Sequence, residues 1–238
     1  MASWKVALID QSTDGVPEAE LEQIATALQQ QVDNDFAPAW GVRADISVLP
    51  AHSAAPAGTW PIKIIDALEG AGGVHLDKDG VPYAEAVIGS QLSIAASHEL
   101  LEMLADPWGN RFTPAADIEP GSLGRPVFYL VEVGDPCEVF SYETAGVKVS
   151  DFILPSYYDP EATGRVDFLG KLEGPLPGTV PAGCYISWID PQDGNWHQQR
   201  PDGTFVTASA EAGSNPRDDR DRAFGGDDPD LHNVRKFL

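Results

Sequence analysis

The stretch from Ser93 to Pro107, SIAASHELLEMLADP, constrains this chain more than any other. Ala, Leu, Met and Glu are good helix formers and a proline closes the segment, so the sequence predicts one helix ending before Pro107. A helix this apolar is largely buried, yet it carries four polar side chains that bury badly. His98 and Glu102 lie four residues apart and project from one face, about a turn from each other. Asp106 continues that stripe at the helix end, and Glu99 points about 100° away around the axis. A buried cluster of one His, two Glu and one Asp is costly without a cation or hydrogen-bonding partners. A His and a carboxylate fixed on one rigid element supply two of the ligands that a metal ion needs. The plainer alternatives are a solvated Glu102 and a core His98 bonded to a carbonyl.

At 238 residues the chain can enclose a sizeable core, and its 42% hydrophobic content is that of a globular protein. No stretch is apolar enough for a membrane span, and the N-terminus lacks a signal-peptide pattern, so a cytoplasmic location is expected. Two distant cysteines, Cys137 and Cys184, exclude a disulfide framework while leaving a single bridge open. The net charge of −22 argues against nucleic acid and anionic membranes as partners, and it favours cation attraction. Oligomeric state is not legible in the sequence.

Along the chain, Val6 to Ile9 reads as a first strand and Gln11 to Pro17 as a turn. Pro17 opens an amphipathic helix whose stripe is Leu21, Ile24, Ala25, Leu28 and Val32, and Phe36 to Gly41 is expected to end it. Strands follow at Ala44 to Leu49 and Pro61 to Ala67. His75 to Ala84 reads as a hairpin turning on Asp79-Gly80, and Ala84 to Ile88 as an edge strand. Asp77 and Asp79 have the spacing that starts a calcium loop but lack its later ligands, so they belong to the turn. Beyond Trp108 come short strand candidates at 127–133, 148–154 and 184–189, then a short hairpin around Trp196. Residues 210–230 are polar and aperiodic and read as a mobile loop or tail. Leu231 to Leu238 could dock back onto the body.

The expected organisation is therefore α+β. Residues 1–107 form a mixed sheet with two helices, 108–208 form a strand- and loop-rich part, and 209–238 form a polar segment with a docking end.

A second polar cluster, Glu132-Val133-Gly134-Asp135-Pro136-Cys137-Glu138, follows the apolar strand residues Val127 to Leu130. Glu138 reads as a solvated acid. A metal on His98 and Glu102 needs a further protein ligand, which Glu132 or Asp135 could supply. Cys137 fits packing or a supporting role better than direct ligation in so oxygen-rich a set.

Taken together, Ser97-His98-Glu99-x-x-Glu102-x-x-x-Asp106-Pro107 and Glu132-Val133-x-Asp135-x-Cys137 resemble a set of zincin-like proteins. That set includes plant phosphate-induced, Exordium-type proteins and many bacterial ones. The bacterial members also look similar over residues 35–41 and 73–77, so the resemblance covers roughly the first two-thirds of the chain. It implies a zincin-like core and a zinc site, with calcium or manganese as alternatives, and leaves the substrate open.

In peptidase zincins both helix ligands are histidines. Glu102 in that place adds negative charge to the metal and weakens it as a Lewis acid. The resemblance implies a metallopeptidase-like hydrolase acting on a peptide or protein, with Glu99 as the base for a metal-activated water. Tyr83, Tyr157 and Tyr158 are candidates to stabilise an oxyanion, with plain packing as the alternative, and His75 and His197 are candidates for a further ligand or acid, with a structural or exposed place as the alternative. The alternatives are a non-catalytic zincin-like protein whose metal is structural or shapes a binding surface, and a metal-free domain in which His98, Glu102 and Glu132 form a buried hydrogen-bond network.

Overall fold

The computed structural model describes residues 3–68, 71–178, 180–211 and 215–225. The chain opens with a βαβ unit. Strand β1 (Ser3–Asp10) leads into helix α1 (Glu18–Gln30), and β2 (Arg43–Leu49) returns parallel to β1. Next come β3 (Thr59–Ile65), β4 (Gly73–Lys78) and β5 (Val81–Val87). The sheet order is β2-β1-β3-β5-β4, with every pair parallel except β4 against β5. β1 sits inside this mixed sheet, and its Val6-Ala7-Leu8-Ile9 run is buried throughout.

Two sequence expectations change here. Ala84 to Ile88 does not form an edge, because β5 lies between β3 and β4, and β4 is the outer strand. The first long helix, expected to end near Asp35, runs on to Gly41, the residue expected to close it. It widens into a π turn at Gln31–Phe36 just ahead of Pro38, runs on as α2 (Ala37–Trp40), and ends at Gly41 with φ 73°. The β4–β5 hairpin turns on Asp79-Gly80 with φ of 54° and 77°, the left-handed pair that such turns require, and Asp77 Oδ2 accepts the Gly80 N–H.

Helix α3 (Leu92–Ala105) packs on β5, β4 and β3 of this sheet. Every residue from Ile94 to Ala105 is buried, because a second layer covers its other side. That layer contains β6 (Phe112–Ala116), β7 (Pro126–Leu130), the hairpin β8 (Ser141–Thr144) and β9 (Val147–Ser150), β10 (Ile186–Ile189), β11 (Trp196–Gln199) and β12 (Phe205–Ala208). Its five-stranded sheet runs β12-β11-β10-β7-β6, all antiparallel. One hydrophobic cluster spans both layers, including Val6, Leu28, Leu100, Val133 and Trp188. The whole is α+β.

Ser97 ties α3 to its surroundings at the turn before His98. Its hydroxyl donates to Gln31 Oε1 in the π turn (2.7 Å) and accepts the Ser150 N–H (3.0 Å). Cys137 and Cys184 are both buried and unbridged. Among the described residues, no helix is long and apolar enough to cross a membrane. Within 210–230, where the sequence reads as a mobile tail, Pro216–Gly225 form helix α4. Leu231 to Leu238 lie outside the described residues.

Candidate metal centre

α3 carries His98, Glu99 and Glu102 into a strongly charged part of its buried surface. His98 Nε2 lies 3.3 Å from Glu102 Oε1 and 3.4 Å from Asp135 Oδ1. Asp135 reaches this point because the chain leaves β7 and turns through a short 3-10 helix, Asp135–Cys137. On the other side of Glu102, His75 from β4 places Nδ1 3.4 Å from Glu102 Oε2 and 3.4 Å from Glu99 Oε2. The ligand atoms thus fall into two sets that could hold a metal ion, His98–Glu102–Asp135 and His75–Glu99–Glu102, with Glu102 common to both. No single set contains both imidazoles.

An N–H···O hydrogen bond closes to about 2.7–3.2 Å. Ligands about 2.0–2.1 Å from a tetrahedral ion sit about 3.3–3.4 Å apart along the tetrahedron's edges. The His98 set and the His75 set both lie at 3.3–3.4 Å, as does the His75–Glu132 contact, so the spacing accommodates an ion without selecting one set. Two glycines permit the approach. A Cβ on Gly134 would lie 2.5 Å from His98 Cε1, and one on Gly73 would lie 2.7 Å from Glu99 Cγ. The Gly134 N–H also donates to Glu102 Oε1 at 3.0 Å, orienting that carboxylate. His98 Nδ1, His75 Nε2 and Glu132 Oε2 are buried without a hydrogen-bond partner among the described residues.

The electrostatics show how the cluster is balanced by protons and ion pairs when no metal is bound. Burial drives the Glu132 carboxyl up to about 8, helped by Glu102 and Asp135 against the pull of His75 and Arg220. Asp135 is raised by burial and then by Glu102. Burial would lower both imidazoles, but the facing carboxylates win. His75 is pushed up to about 10, chiefly by Glu132, and His98 rises well above its ordinary value through Glu102 and Asp135. Burial would also raise Glu102, yet His98 and His75 hold it well below the usual carboxylate range. Without a metal the cluster must keep protons to offset its carboxylates, and a divalent cation can take their place.

Several residues singled out in the sequence lie elsewhere. Glu132 belongs to neither set: its Oε2 faces His75 Nε2 (3.4 Å) and its Oε1 accepts from Arg220 (3.2 Å). Asp106 caps the turn after α3 by accepting the N–H groups of Asn110 and Arg111, at 3.0 and 2.9 Å. Cys137 is packed in the core. Tyr83 lies on β5 under the Lys63 ammonium, and Tyr157 and Tyr158 are buried in a 3-10 turn, so none of the three lines the cleft. His197 is bonded to Glu119 and Asp193 in the second sheet. Its grouping with Asp190 and Asp193 adds little, since Asp190 already pairs with Arg125 at 2.6 Å.

The cluster opens into a cleft of about 480 Å³, part of it open to solvent, walled by 71–75, α3, Asp135 and residues missed in the sequence. These are Tyr185, Glu138, Arg217, Arg220 and Asp221. Glu138 is not the solvated acid expected, being only 9% exposed. Arg217, Arg220 and Asp221 come from α4. No protein-family model matches this chain, and comparisons with curated proteins and with solved structures found no significant match.

Proposed function

We propose that the chain is a zincin-like, metal-dependent hydrolase of peptide bonds, with its cation on His98, Glu102 and Asp135. The observation that carries this reading is the convergence of one imidazole and two carboxylates, His98, Glu102 and Asp135, in a buried group beside Glu99, with His98 Nε2 3.3 Å from Glu102 Oε1 and 3.4 Å from Asp135 Oδ1. The donor set, one imidazole and two carboxylates, suits zinc and can accept manganese. Calcium prefers all-oxygen shells and fits poorly. The zincin-like assignment is supported by the H-E-x-x-E helix lying beneath a mixed sheet whose outer strand, β4, runs antiparallel.

A divalent cation at this position supplies Lewis acidity, polarising a carbonyl and making a bound water more acidic. The chain's own groups do the rest. Glu99 lines the cleft one residue from His98, and its Oε2 is the proton acceptor for the attacking water. It then returns that proton to the leaving nitrogen. His75, 3.4 Å from Glu99 Oε2, holds the carboxylate toward the cleft. Tyr185 on the cleft wall, rather than Tyr83, Tyr157 or Tyr158, is the tyrosine placed to meet substrate.

The decisive comparison is wild type against Glu99→Gln on a peptide library. The variant retains its metal and loses turnover by about 10²–10⁴-fold, the range for a general base. Unchanged turnover in Glu99→Gln refutes the mechanism. Glu102 in place of a second imidazole favours one further reading, in which the metal only stabilises the fold. In that case peptides are never cut, and chelation lowers the melting temperature of wild type and Glu99→Gln equally.

A further inference from the structure

Helix α4 brings two arginines to the wall of the cleft, three residues apart and so on one helix face. Their situations differ. Arg220 is fully engaged: Nη1 reaches Glu132 Oε1 at 3.2 Å, and Nε and Nη2 donate to Asp221 Oδ1 at 2.9 and 2.7 Å. Arg217 is more deeply buried, at 1% exposure, yet Nε, Nη1 and Nη2 have no hydrogen-bond acceptor among the described residues. Its nearest carboxylate oxygens are Asp77 Oδ1, 4.0 Å from Nη2, and Asp218 Oδ1, 3.9 Å from Nε. Both are beyond hydrogen-bonding reach.

A buried cation without acceptors is strongly unfavourable, and a chain with 37 acidic residues had ample means to supply one. The slot is also shaped for this side chain. Gly109, with φ 59°, lies against it, and a Cβ there would come within 2.6 Å of Arg217 Cβ and 2.8 Å of its Cζ. The Arg217 N–H donates to Gly109 O at 3.0 Å, which fixes the start of α4 on the turn that follows α3. The guanidinium thus lies against the cleft wall with its donors unspent and almost wholly covered, so a ligand reaches them by parting the side chains over them.

We propose that Arg217 is the receptor for a carboxylate of the bound ligand. Resting on the hydrolase reading, that carboxylate is the C-terminus of the peptide being cut, so the enzyme trims residues from chain ends. A guanidinium presents a planar fork that matches a carboxylate in bidentate fashion. A net charge of −22 repels extended polyanions, which leaves a single short carboxylate as the better-suited anion. In the reaction, water adds its oxygen to the carbonyl carbon of the last peptide bond, and the C–N bond breaks. The proton taken by Glu99 passes to the nitrogen of the released amino acid, whose carboxylate stays on Arg217 until product leaves.

The test is calorimetric titration of zinc-incubated Glu99→Gln protein with N-benzoyl-glycyl-phenylalanine and with its C-terminal amide. The acid is expected to bind at least tenfold more tightly than the amide. Adding Arg217→Met brings the two within twofold, and Arg217→Lys, which keeps the charge without the fork, leaves an intermediate preference. Equal binding of acid and amide, binding of neither, or an unchanged preference in Arg217→Met overturns the proposal. Acetate and inorganic phosphate form separate arms, and tighter binding of either than of the peptide acid defeats the chain-end assignment. If Arg217→Met does not fold, the acid–amide ratio and Arg217→Lys decide. Zinc content is measured on the same samples. Zinc bound without an acid preference removes Arg217's role and leaves the hydrolase reading standing. An acid preference without zinc removes the hydrolase reading and keeps the carboxylate site.

Discussion

Gly134 offers the sharpest perturbation of the metal centre, because alanine there changes no ligand and no charge. Its φ of −90° and ψ of −38° suit alanine, so backbone strain plays no part. The obstacle is His98, whose Cε1 and Nδ1 would stand 2.5 and 2.6 Å from the new methyl. Carbon atoms pack at about 3.5–4.0 Å, so the ring must retreat by about 1 Å or the chain after β7 must move by as much. Metal–ligand distances tolerate only about 0.2 Å, so either movement takes His98 Nε2 or Asp135 out of range. Gly134→Ala is therefore expected to weaken zinc binding at least ~100-fold, or about 2.8 kcal/mol. Overpacking by itself should cost the metal-free fold about 1–3 kcal/mol. Chelator-competition titration reads the first effect, and thermal melting in excess EDTA reads the second. Zinc affinity within threefold of wild type in a folded Gly134→Ala protein would refute the placement of His98 as a ligand.

Other substitutions separate the roles further. Gly73→Ala puts a methyl 2.7 Å from Glu99 Cγ, so it should spare zinc binding and reduce turnover ~100-fold, read by steady-state kinetics at matched metal content. Asp135→Asn should lose most zinc affinity while Glu132→Gln keeps it, since Glu132 faces Arg220 and His75 rather than the His98 set; equal losses would contradict that division. Away from the site, burial and the hydrogen bond to Asp167 push Asp151 up to about 8. A folded-state value above the ordinary 3.8 means the native state holds the extra proton. Stability from this group is therefore complete below about pH 4 and declines until pH passes about 8. Asp151→Asn should flatten this part of the melting profile between about pH 4 and 8, and an unchanged slope would assign it elsewhere.

The polar helix face of α3 was legible because it carries its own contradiction, an apolar helix with His98, Glu99 and Glu102 that only a buried site can reconcile. The β1–α1–β2 unit and the Asp79-Gly80 hairpin were legible for similarly local reasons, periodicity and turn chemistry. What long-range pairing decides was not. β5 has the composition of an edge strand yet lies inside the sheet, since β4 folds back outside it. Glu132 and Asp135 were equivalent candidates, and only the 3-10 turn at Asp135–Cys137 separates them. α4 was missed because its buried face is mostly charged, Arg217, Asp219 and Arg220, with Phe224 as its one buried apolar side chain, which makes no stripe. A signal was nonetheless present. Asn215 precedes a proline at the first helical position, Asp218 and Asp219 occupy the first turn and Arg222 the last. Asn215 Oδ1 does accept the Arg217 N–H at 3.0 Å.

The most direct test of the account is the metal content of the purified, tag-free protein, wild type beside His98→Ala, after incubation with zinc and removal of loosely held ion. About one tightly held zinc per chain is expected in wild type, and its loss in His98→Ala. No retained metal in wild type, or equal retention in the variant, would contradict a centre built on His98, Glu102 and Asp135.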